Sequence, residues 1–277
     1  MVSNDQRRRQ LAREKFERQQ QRRAAAQRKT KRRNVIMASV LAVGLAAGGA
    51  AYASAGLAGG NDQESDEAAV TPTPSKAPDP CGRPAKGSPS KETWKKEPAM
   101  SIDTSASYAV KLDTTCGQIE LKLDAGKAPH TVNSFSFLAG KGYFDHSKCH
   151  RLVDQGLFVL QCGDPAGTGR GTPGYTIPDE NLKDPRLKGN IYPAGTVAMA
   201  NRYDGRNEKT RDSGGSQFFL VYQDSQLPPN YTPFGTITGG MDVLRKIAKA
   251  GSTLDPETGN TAPNATVVID GATVRKS

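Results

Sequence analysis

The residues of this chain that are able to do chemistry are one cation and two side-chain amides, set among aromatic rings. Arg151 is followed ten positions later by Gln161. Farther along, Gln217 directly precedes Phe218 and Phe219. A guanidinium is planar, permanently charged and rich in hydrogen-bond donors. Such a set is suited to binding and polarising a peptide bond, and it contains no obvious nucleophile.

Short strands must position these side chains, because apolar and polar residues alternate along much of the sequence after residue 107. Two helices are also predicted, one beginning at Pro129 and stopped by Gly140, the other over residues 241–250. The strands are expected at residues 108–113, 118–123, 149–153, 157–162, 196–200, 217–222, 234–238 and 267–274. This pattern predicts a mostly β fold, a closed eight-stranded antiparallel β-barrel capped by two α-helices.

Several blocks of sequence, in a fixed order, resemble those of the cyclophilins, a family of peptidyl-prolyl isomerases. The blocks are residues 128–135, 142–145, 149–151, 158–164, 179–181, 195–201, 215–219 and 234–235. The resemblance extends over residues 107–275, nearly all of the part that is predicted to fold. It implies a cyclophilin-like barrel and an isomerase that works without a covalent intermediate.

The resemblance also implies the role of each site residue. Rotation about an X-Pro bond must break amide resonance, against a barrier of roughly 18–20 kcal/mol. Arg151 matches the family's catalytic arginine, which would donate to the proline nitrogen, and Gln161 would orient the guanidinium or bond the substrate carbonyl. The remaining residues would line the proline socket or bind the peptide chain: Phe158, Val159, Ala200, Asn201, Gln217, Phe219, Leu227 and Tyr231.

Three features depart from the familiar single-domain cyclophilins. The segment between Arg151 and Gln161 is two residues longer. The loop over residues 202–215 is longer and charged, so the preference beyond proline is expected to differ. Gln226 stands where those proteins have a tryptophan, and Tyr231 where they have a histidine. The missing indole donor predicts weak binding of cyclosporin.

Other motifs indicate different chemistry, and each lacks a required partner. Residues 169–174 fit the dinucleotide pattern G-x-G-x-x-G, but Pro173 and Pro178 exclude the helix that such a site needs. Residues 212–215 resemble the nucleophile segment of trypsin-like serine proteases. An exported hydrolase built on Ser213 is therefore an alternative, although no histidine of the chain stands in that family's setting.

Four residues of metal-ligand type stand close together: Asp145, His146, Cys149 and His150. Residues 149 and 150 would point to opposite faces of an extended strand, and Cys149 is expected to form a disulfide. His150 is interpreted as a packed structural histidine. No metal, nucleotide or other cofactor is expected.

The net charge of +10 lies entirely in residues 1–33, which hold thirteen Lys and Arg against three Asp and Glu. An uncharged apolar run follows within residues 34–57, long enough at about 1.5 Å per residue to cross a bilayer core. A cationic flank before such a span predicts the amino terminus inside and the main domain outside the cell. The sequence thus predicts a basic cytoplasmic tail rather than a nucleic-acid-binding arm, then a single-pass transmembrane helix in the cell membrane.

Residues 51–53 have the small-x-small form of a signal-peptidase site, and cleavage after Ala53 would release a secreted protein. The basic region is much longer than a signal peptide needs, which favours an uncleaved signal-anchor. Residues 58–104 then form a predicted disordered linker with seven prolines, and residues 105–277 the isomerase domain. Trp94 is interpreted as a solvated linker residue.

Four cysteines in an exported domain predict disulfides, with three possible pairings. Cys149 and Cys162 flank a predicted hairpin, and their sulfurs come within bridging reach if its strands pair. Cys81 would then pair with Cys116 and join the linker to the start of the domain. The alternative is four free, buried thiols.

Taken together, these features predict a monomeric, membrane-anchored prolyl isomerase that assists the folding of exported proteins. Its partners would be proline-containing polypeptides. A second hypothesis is a module of the same fold that binds proline-containing peptides of a partner with little turnover.

Overall fold

The computed structural model describes residues 78–203, 205 and 207–277. The predicted basic tail, the predicted membrane helix and the first part of the predicted linker lie outside these residues. Among the helices of the described part of the chain, none combines the length and the apolar character needed to span a membrane.

Nine antiparallel strands form one curved sheet. In spatial order they are β3 (Ser147–Lys148), β13 (Val268–Lys276), β1 (Ser107–Thr114), β2 (Gly117–Asp124), β10 (Pro233–Gly239), β7 (Thr196–Met199), β8 (Phe218–Val221), β5 (Phe158–Cys162) and β4 (Arg151–Asp154). Two ribbons complete the strands, one of β6 (Ile191–Tyr192) with β9 (Ser225–Gln226), the other of β11 (Ser252–Leu254) with β12 (Thr261–Pro263).

The expected closed, eight-stranded barrel is wrong, because the sheet has nine strands and remains open as a half-barrel. Its edges are β3 and β4, and within the described residues no ladder joins them. The predicted strand over residues 149–153 is in fact divided. Cys149 still bonds to Val267 beside β13, with its N–H 2.9 Å from that carbonyl oxygen, whereas Arg151 already pairs with β5. The chain thus crosses from one edge to the other within two residues.

Two helices confirm those predicted from the sequence: α1 (Pro129–Gly140) and α2 (Met241–Lys249). Pro129 suits the first position of α1, where a backbone N–H would have no helical partner. The carboxylate of Glu180 accepts from the N–H groups of His130, at 3.1 Å, and Thr131, at 2.9 Å. A negative charge from a distant loop therefore caps the positive end of α1.

The main core lies between α1 and the inner face of the sheet. The ring of Phe135 in α1 packs against Phe144, Phe218 and Phe234, with centroid distances of 4.8, 5.3 and 5.7 Å. All four rings are buried, and burying each stabilises the fold by about 1.5–3 kcal/mol. Phe218 anchors β8 from the inside, which holds its neighbour Phe219 on the other face.

Residues 78–104, here called the strap, are not the disordered linker that the sequence predicts. They run along the domain surface and bond to it. The N–H of Trp94 donates to the carbonyl of Pro173 at 2.7 Å, and the indole ring lies 5.2 Å from Phe137 and 5.8 Å from Tyr143. The interpretation of Trp94 as a solvated residue is therefore wrong. Main-chain hydrogen bonds and the ring of Trp94 hold the strap on the domain. Neither contact requires apolar residues at regular spacing in the sequence.

Both predicted disulfides are confirmed. Cys149–Cys162 links the residues beside the β4–β5 ladder, and Cys81–Cys116 joins the strap to the turn between β1 and β2. No cysteine remains free. The strap is thus covalently tied to the sheet, and the hairpin that carries Arg151 is closed at its open end.

Candidate active site

Four adjacent strands place one row of side chains on the face of the sheet opposite the main core. Arg151 on β4 pairs with Gln161 on β5, Gln161 with Phe219 on β8, and Phe219 with Ala198 on β7. Directly opposed residues of an antiparallel pair share a face, with Cβ atoms about 4.5–5.5 Å apart. The strand register therefore brings together the cation, the amide and the ring that the sequence singles out.

A chain of hydrogen bonds fixes the polar end of this row. The Nη1 of Arg151 donates to Oε1 of Gln161 at 3.2 Å, and Nε2 of Gln161 donates to Oε1 of Gln217 at 2.9 Å. Gln217 in turn donates from Nε2 to the carbonyl of Gly171 at 2.9 Å. Each amide is held in one orientation by its two partners. The Arg151 bond uses one of the guanidinium's N–H groups, and the others make no hydrogen bond within the described part of the chain.

A second apolar cluster forms the floor beside the guanidinium. Its buried members are Val159, Leu187, Tyr192, Ala198, Phe219 and Val221. The ring of Tyr231 stands almost perpendicular to that of Phe219, with centroids 5.5 Å apart. Above this floor lies an open groove of about 500 Å³, within the size range of ligand sites.

Eight of the ten predicted site residues line this groove: Arg151, Val159, Gln161, Ala200, Asn201, Phe219, Leu227 and Tyr231. Gln217 lines an adjoining hollow of about 350 Å³, which also touches Gln161, Ala200 and Asn201. The two spaces therefore meet at the amide of Gln161, next to the cation. The site is a continuous, partly apolar cleft and not a closed cavity.

Phe158 is the predicted site residue that the structure does not bring into the groove. Side chains alternate along β5, so Phe158 shares the core face with Leu160, while Val159 and Gln161 face the groove. The ring of Phe158 packs edge-on against Tyr222, with centroids 5.9 Å apart. Leu157 lines the groove instead. Counting back in twos from Gln161 through Val159 identifies Leu157 from the sequence.

The segment after β7 is anchored by the side chain of Asn201. Its Nδ2 donates to Asp179 Oδ1 at 3.0 Å and to the carbonyl of Asn230 at 2.7 Å. The neighbouring N–H of Ala200 donates to the carbonyl of Gln217 at 2.8 Å. Within the described residues the main-chain N–H of Asn201 has no partner. An extended peptide in the groove can therefore bond to it in the manner of an added strand.

A buried carboxylate that the sequence does not single out shapes the opposite rim. Asp164 accepts hydrogen bonds from the main-chain N–H groups of Ala166, Gly169 and Gly171, at 2.9, 2.7 and 3.1 Å. Burial raises the pKa of this carboxyl, but hydrogen bonds from Gly171 and the rest of the loop outweigh it, so the pKa lies below its ordinary value. The folded loop presents the Gly171 carbonyl to Gln217.

His150, next to Arg151, is buried, which confirms the prediction of a packed histidine. The pKa of His150 lies below its ordinary value, mainly because the ring is buried. The nearby charge of Asp164 opposes this shift, and that of Arg151 adds to it. Neither ring nitrogen has a hydrogen-bond partner among the described residues. The imidazole is therefore neutral at neutral pH and is not placed to exchange protons with solvent.

The hydroxyl of Ser213, the candidate nucleophile of the hydrolase alternative, is bonded to main-chain groups. The hydroxyl of Ser213 donates to the carbonyl of Thr210 at 2.6 Å and accepts from the N–H of Arg202 at 2.9 Å. Neither bond involves a histidine, so the structure gives no support to a hydrolase at Ser213. In the described part of the chain, no three His, Cys, Asp or Glu side chains are grouped as metal ligands.

A fixed guanidinium lies beside an apolar floor, and along one wall a main-chain N–H has no partner among the described residues. This arrangement is suited to binding an extended peptide. Residues 109–274 match the family described as cyclophilin type peptidyl-prolyl cis-trans isomerase/CLD. The chain belongs to this family.

Curated relatives carry corresponding names. Probable peptidyl-prolyl cis-trans isomerase B of Mycobacterium leprae is 45% identical over 171 residues, which cover 58% of this chain and 56% of the relative. Peptidyl-prolyl cis-trans isomerase B of Bacillus subtilis is 36% identical over 132 residues, covering 47% of this chain and 83% of the relative. The chain spans about half the length of the mycobacterial relatives that it matches. A solved cyclophilin type isomerase of Cryptosporidium parvum is 24% identical, with a TM-score of 0.47, and covers 62% of this chain and 99% of that one.

Proposed function

We propose that this protein is a peptidyl-prolyl cis-trans isomerase. The observation that carries the proposal is the placement of Arg151, held by Gln161, on the same sheet face as Phe219. Family membership and the names of the curated relatives support the same activity. The substrates are polypeptides that contain proline.

The reaction is a rotation, so the site must favour a twisted amide over both planar forms. Twisting breaks the resonance of the X-Pro bond and localises a lone pair on the proline nitrogen. Uncatalysed exchange takes tens to hundreds of seconds. Reaching milliseconds requires lowering the barrier by roughly 6 kcal/mol, since each 1.4 kcal/mol is a factor of ten.

The site residues divide this task among them. The proline ring lies on Phe219 and is bordered by Val159, Leu227 and Tyr231, which exclude water from one side of the bond. An N–H of Arg151 that is not bonded to Gln161 donates to the proline nitrogen as its lone pair forms. Because the guanidinium is already oriented, this interaction costs little reorganisation when the bond twists.

The main chain of Asn201 holds the substrate in extended form, and the adjoining hollow receives a neighbouring side chain of the substrate. Arg202, Ser213 and Gly215, at the two ends of the loop over residues 202–215, border that hollow. The loop is braced by Arg211, whose guanidinium lies 3.5 Å from the ring centroid of Tyr203 and 3.7 Å from the carboxylate of Asp179. Preference beyond proline therefore depends on this charged loop.

We further propose that the domain acts outside the cytoplasm as a monomer, anchored by residues 34–57, on exported proteins. Two disulfides in the domain support an oxidising compartment, since such bonds are rare in the cytosol. The basic residues before the apolar run support an amino terminus inside the cell.

The activity is tested by following cis-trans exchange of a short X-Pro peptide with the full-length protein. The expected result is acceleration that is first order in protein, without consumption of the peptide. Saturable binding of the peptide with an unchanged exchange rate would contradict the proposal and favour the binding module instead.

A further inference from the structure

The groove does not end at the edge strand β4. The hairpin formed by β11, β12 and the turn between them, residues 252–263, stands beside β4 and is here called the hairpin wall. Gly259, Asn260 and Thr261 line the same groove as Arg151 and Phe219. The groove therefore has a second part beyond the guanidinium, on the side away from Phe219.

The hairpin wall is held firmly to β4. The hydroxyl of Thr261 donates to the carbonyl of Leu152 at 2.5 Å, and that of Ser252 donates to Asp154 Oδ2 at 3.1 Å. Both bonds reach the strand that begins with Arg151. The position of the hairpin wall is thus fixed relative to the cation.

The carboxylate of Asp255 is bonded within the turn of the hairpin. The carboxylate of Asp255 accepts from the N–H of Glu257 at 2.9 Å and from the hydroxyl of Thr258 at 2.7 Å. The N–H of Asp255 donates to the carbonyl of Asn260 at 2.7 Å. The Asp255 carboxylate is thus bonded within the turn, and the residue that the turn contributes to the groove lining next to Gly259 is Asn260.

Asn260 is half-buried and only partly bonded. Its Nδ2 lies 3.4 Å from the carbonyl of Thr168, a long hydrogen bond, and its Oδ1 accepts none within the described residues. The facing residue is Gly169, where an added Cβ would come within 2.9 Å of this Nδ2. Glycine thus lets this loop approach the carboxamide closely. A carboxamide offers both an acceptor and donors, as a peptide group does.

We propose that Asn260 is a substrate-binding residue and that the hairpin wall binds the main chain of a polypeptide continuing past the isomerised bond. This inference rests on the proposed isomerase function. It assigns the enzyme to long, extended segments of unfolded chains rather than to short peptides. The ligand class is a peptide main chain, because the carboxamide of Asn260 offers the acceptor and the donors that a peptide group can pair with.

The test compares two peptides with the full-length protein: a tetrapeptide centred on X-Pro and the same sequence extended by four residues at each end. Cis-trans exchange is measured by NMR without a coupling protease. Asn260→Ala is expected to lower kcat/KM for the long peptide about fivefold, the loss of one hydrogen bond, and to leave that for the tetrapeptide within about twofold. Gln223→Ala removes a carboxamide at an exposed position outside the hairpin wall and the groove; it is the matched control and is expected to change neither.

Equal losses on both peptides, or no loss on the long one, would overturn the inference. If the wild type accelerates neither peptide, the proposed function has failed, and binding decides the inference separately. In that case the long peptide should shift the backbone amide signals of Gly259, Asn260 and Thr261, and the tetrapeptide should not. Unshifted signals at saturating long peptide would reject the hairpin wall as a binding surface even if Asn260→Ala proved unstable.

Discussion

Removal of the Cys149–Cys162 disulfide is expected to destabilise the domain by about 3 kcal/mol. The bridge closes a loop of 13 residues of sequence separation that contains Arg151 and Gln161. In the chain-entropy description, the cross-link lowers the conformational entropy of the unfolded state. The stability that is lost when the cross-link is removed grows slowly with the length of the closed loop. The same arithmetic gives about 4 kcal/mol for Cys81–Cys116, whose separation is 35 residues.

The matched experiment removes one bridge at a time, as Cys149→Ala with Cys162→Ala and as Cys81→Ala with Cys116→Ala. At about 2–4 °C per kcal/mol for a domain of this size, the first pair lowers Tm by roughly 6–12 °C. Thermal and urea unfolding measure both losses. The two variants should differ in activity, because only the first bridge flanks the strand that holds Arg151.

Below its Tm, the Cys149/Cys162 variant is expected to lose kcat severalfold. The edge strand β4 has one strand partner in the main sheet, and the bridge is the covalent part of that link. The Cys81/Cys116 variant should keep its kcat, since this bridge joins the strap to the turn between β1 and β2, and neither segment lines the groove. Losses of less than about 1 kcal/mol in both variants, or a larger fall of kcat in the second, would refute this reasoning.

Three further predictions follow from single contacts. Gln161→Ala removes the hydrogen bond that orients the Arg151 guanidinium. Because a hydrogen bond to a charged group is lost, kcat is expected to fall about tenfold with KM little changed. An unchanged kcat in exchange assays would contradict this prediction. Trp94→Ala should cost about 2 kcal/mol through lost ring contacts, whereas Lys95→Ala, at an exposed site, should cost almost nothing in urea unfolding. Burial lowers the pKa of His150 in the folded protein, so on acidification this histidine is protonated more readily in the unfolded protein. The free energy of unfolding should therefore fall as the pH drops below about 6.5, by up to about 1.4 kcal/mol per pH unit. Urea titrations should show this slope in the wild type and not in His150→Gln.

Much of the site follows from the sequence because its residues lie on short strands whose register is set by alternation. Arg151, Gln161 and Phe219 each fall on the groove face once β4, β5 and β8 pair. The same rule excludes Phe158 and selects Leu157. The resemblance placed Phe158 in the socket, but the alternation along β5 is set locally by what must be buried in the core.

Other features leave no periodic signal. The strap is fixed by a disulfide, by the N–H of Trp94 and by the amide of Asn133, which bonds to the carbonyls of Pro98 and Ala99 at 3.2 Å each. Such contacts do not depend on side-chain periodicity, so a Pro-rich sequence without an apolar period looks unfolded. The hairpin wall also could not be predicted from the sequence, since each of its strands has three residues and few apolar side chains.

The open sheet could not be predicted from the sequence for a similar reason. The sequence predicts one strand over residues 149–153, and nothing in its pattern indicates that Cys149 pairs on one side and Arg151 on the other. Local alternation predicts a strand but not which neighbours it takes.

The central claim is that the guanidinium of Arg151 stabilises the twisted peptide bond. It is tested most directly by measuring kcat/KM for an X-Pro peptide with Arg151→Ala, Arg151→Lys and, as a matched loss of charge at an exposed position of α2, Arg245→Ala. We predict a loss of about 10²–10³-fold for Arg151→Ala and a loss above about tenfold for Arg151→Lys, because the planar guanidinium is gone. We predict no loss for Arg245→Ala and an unchanged Tm in all three. Wild-type turnover by a folded Arg151→Ala protein would contradict the account.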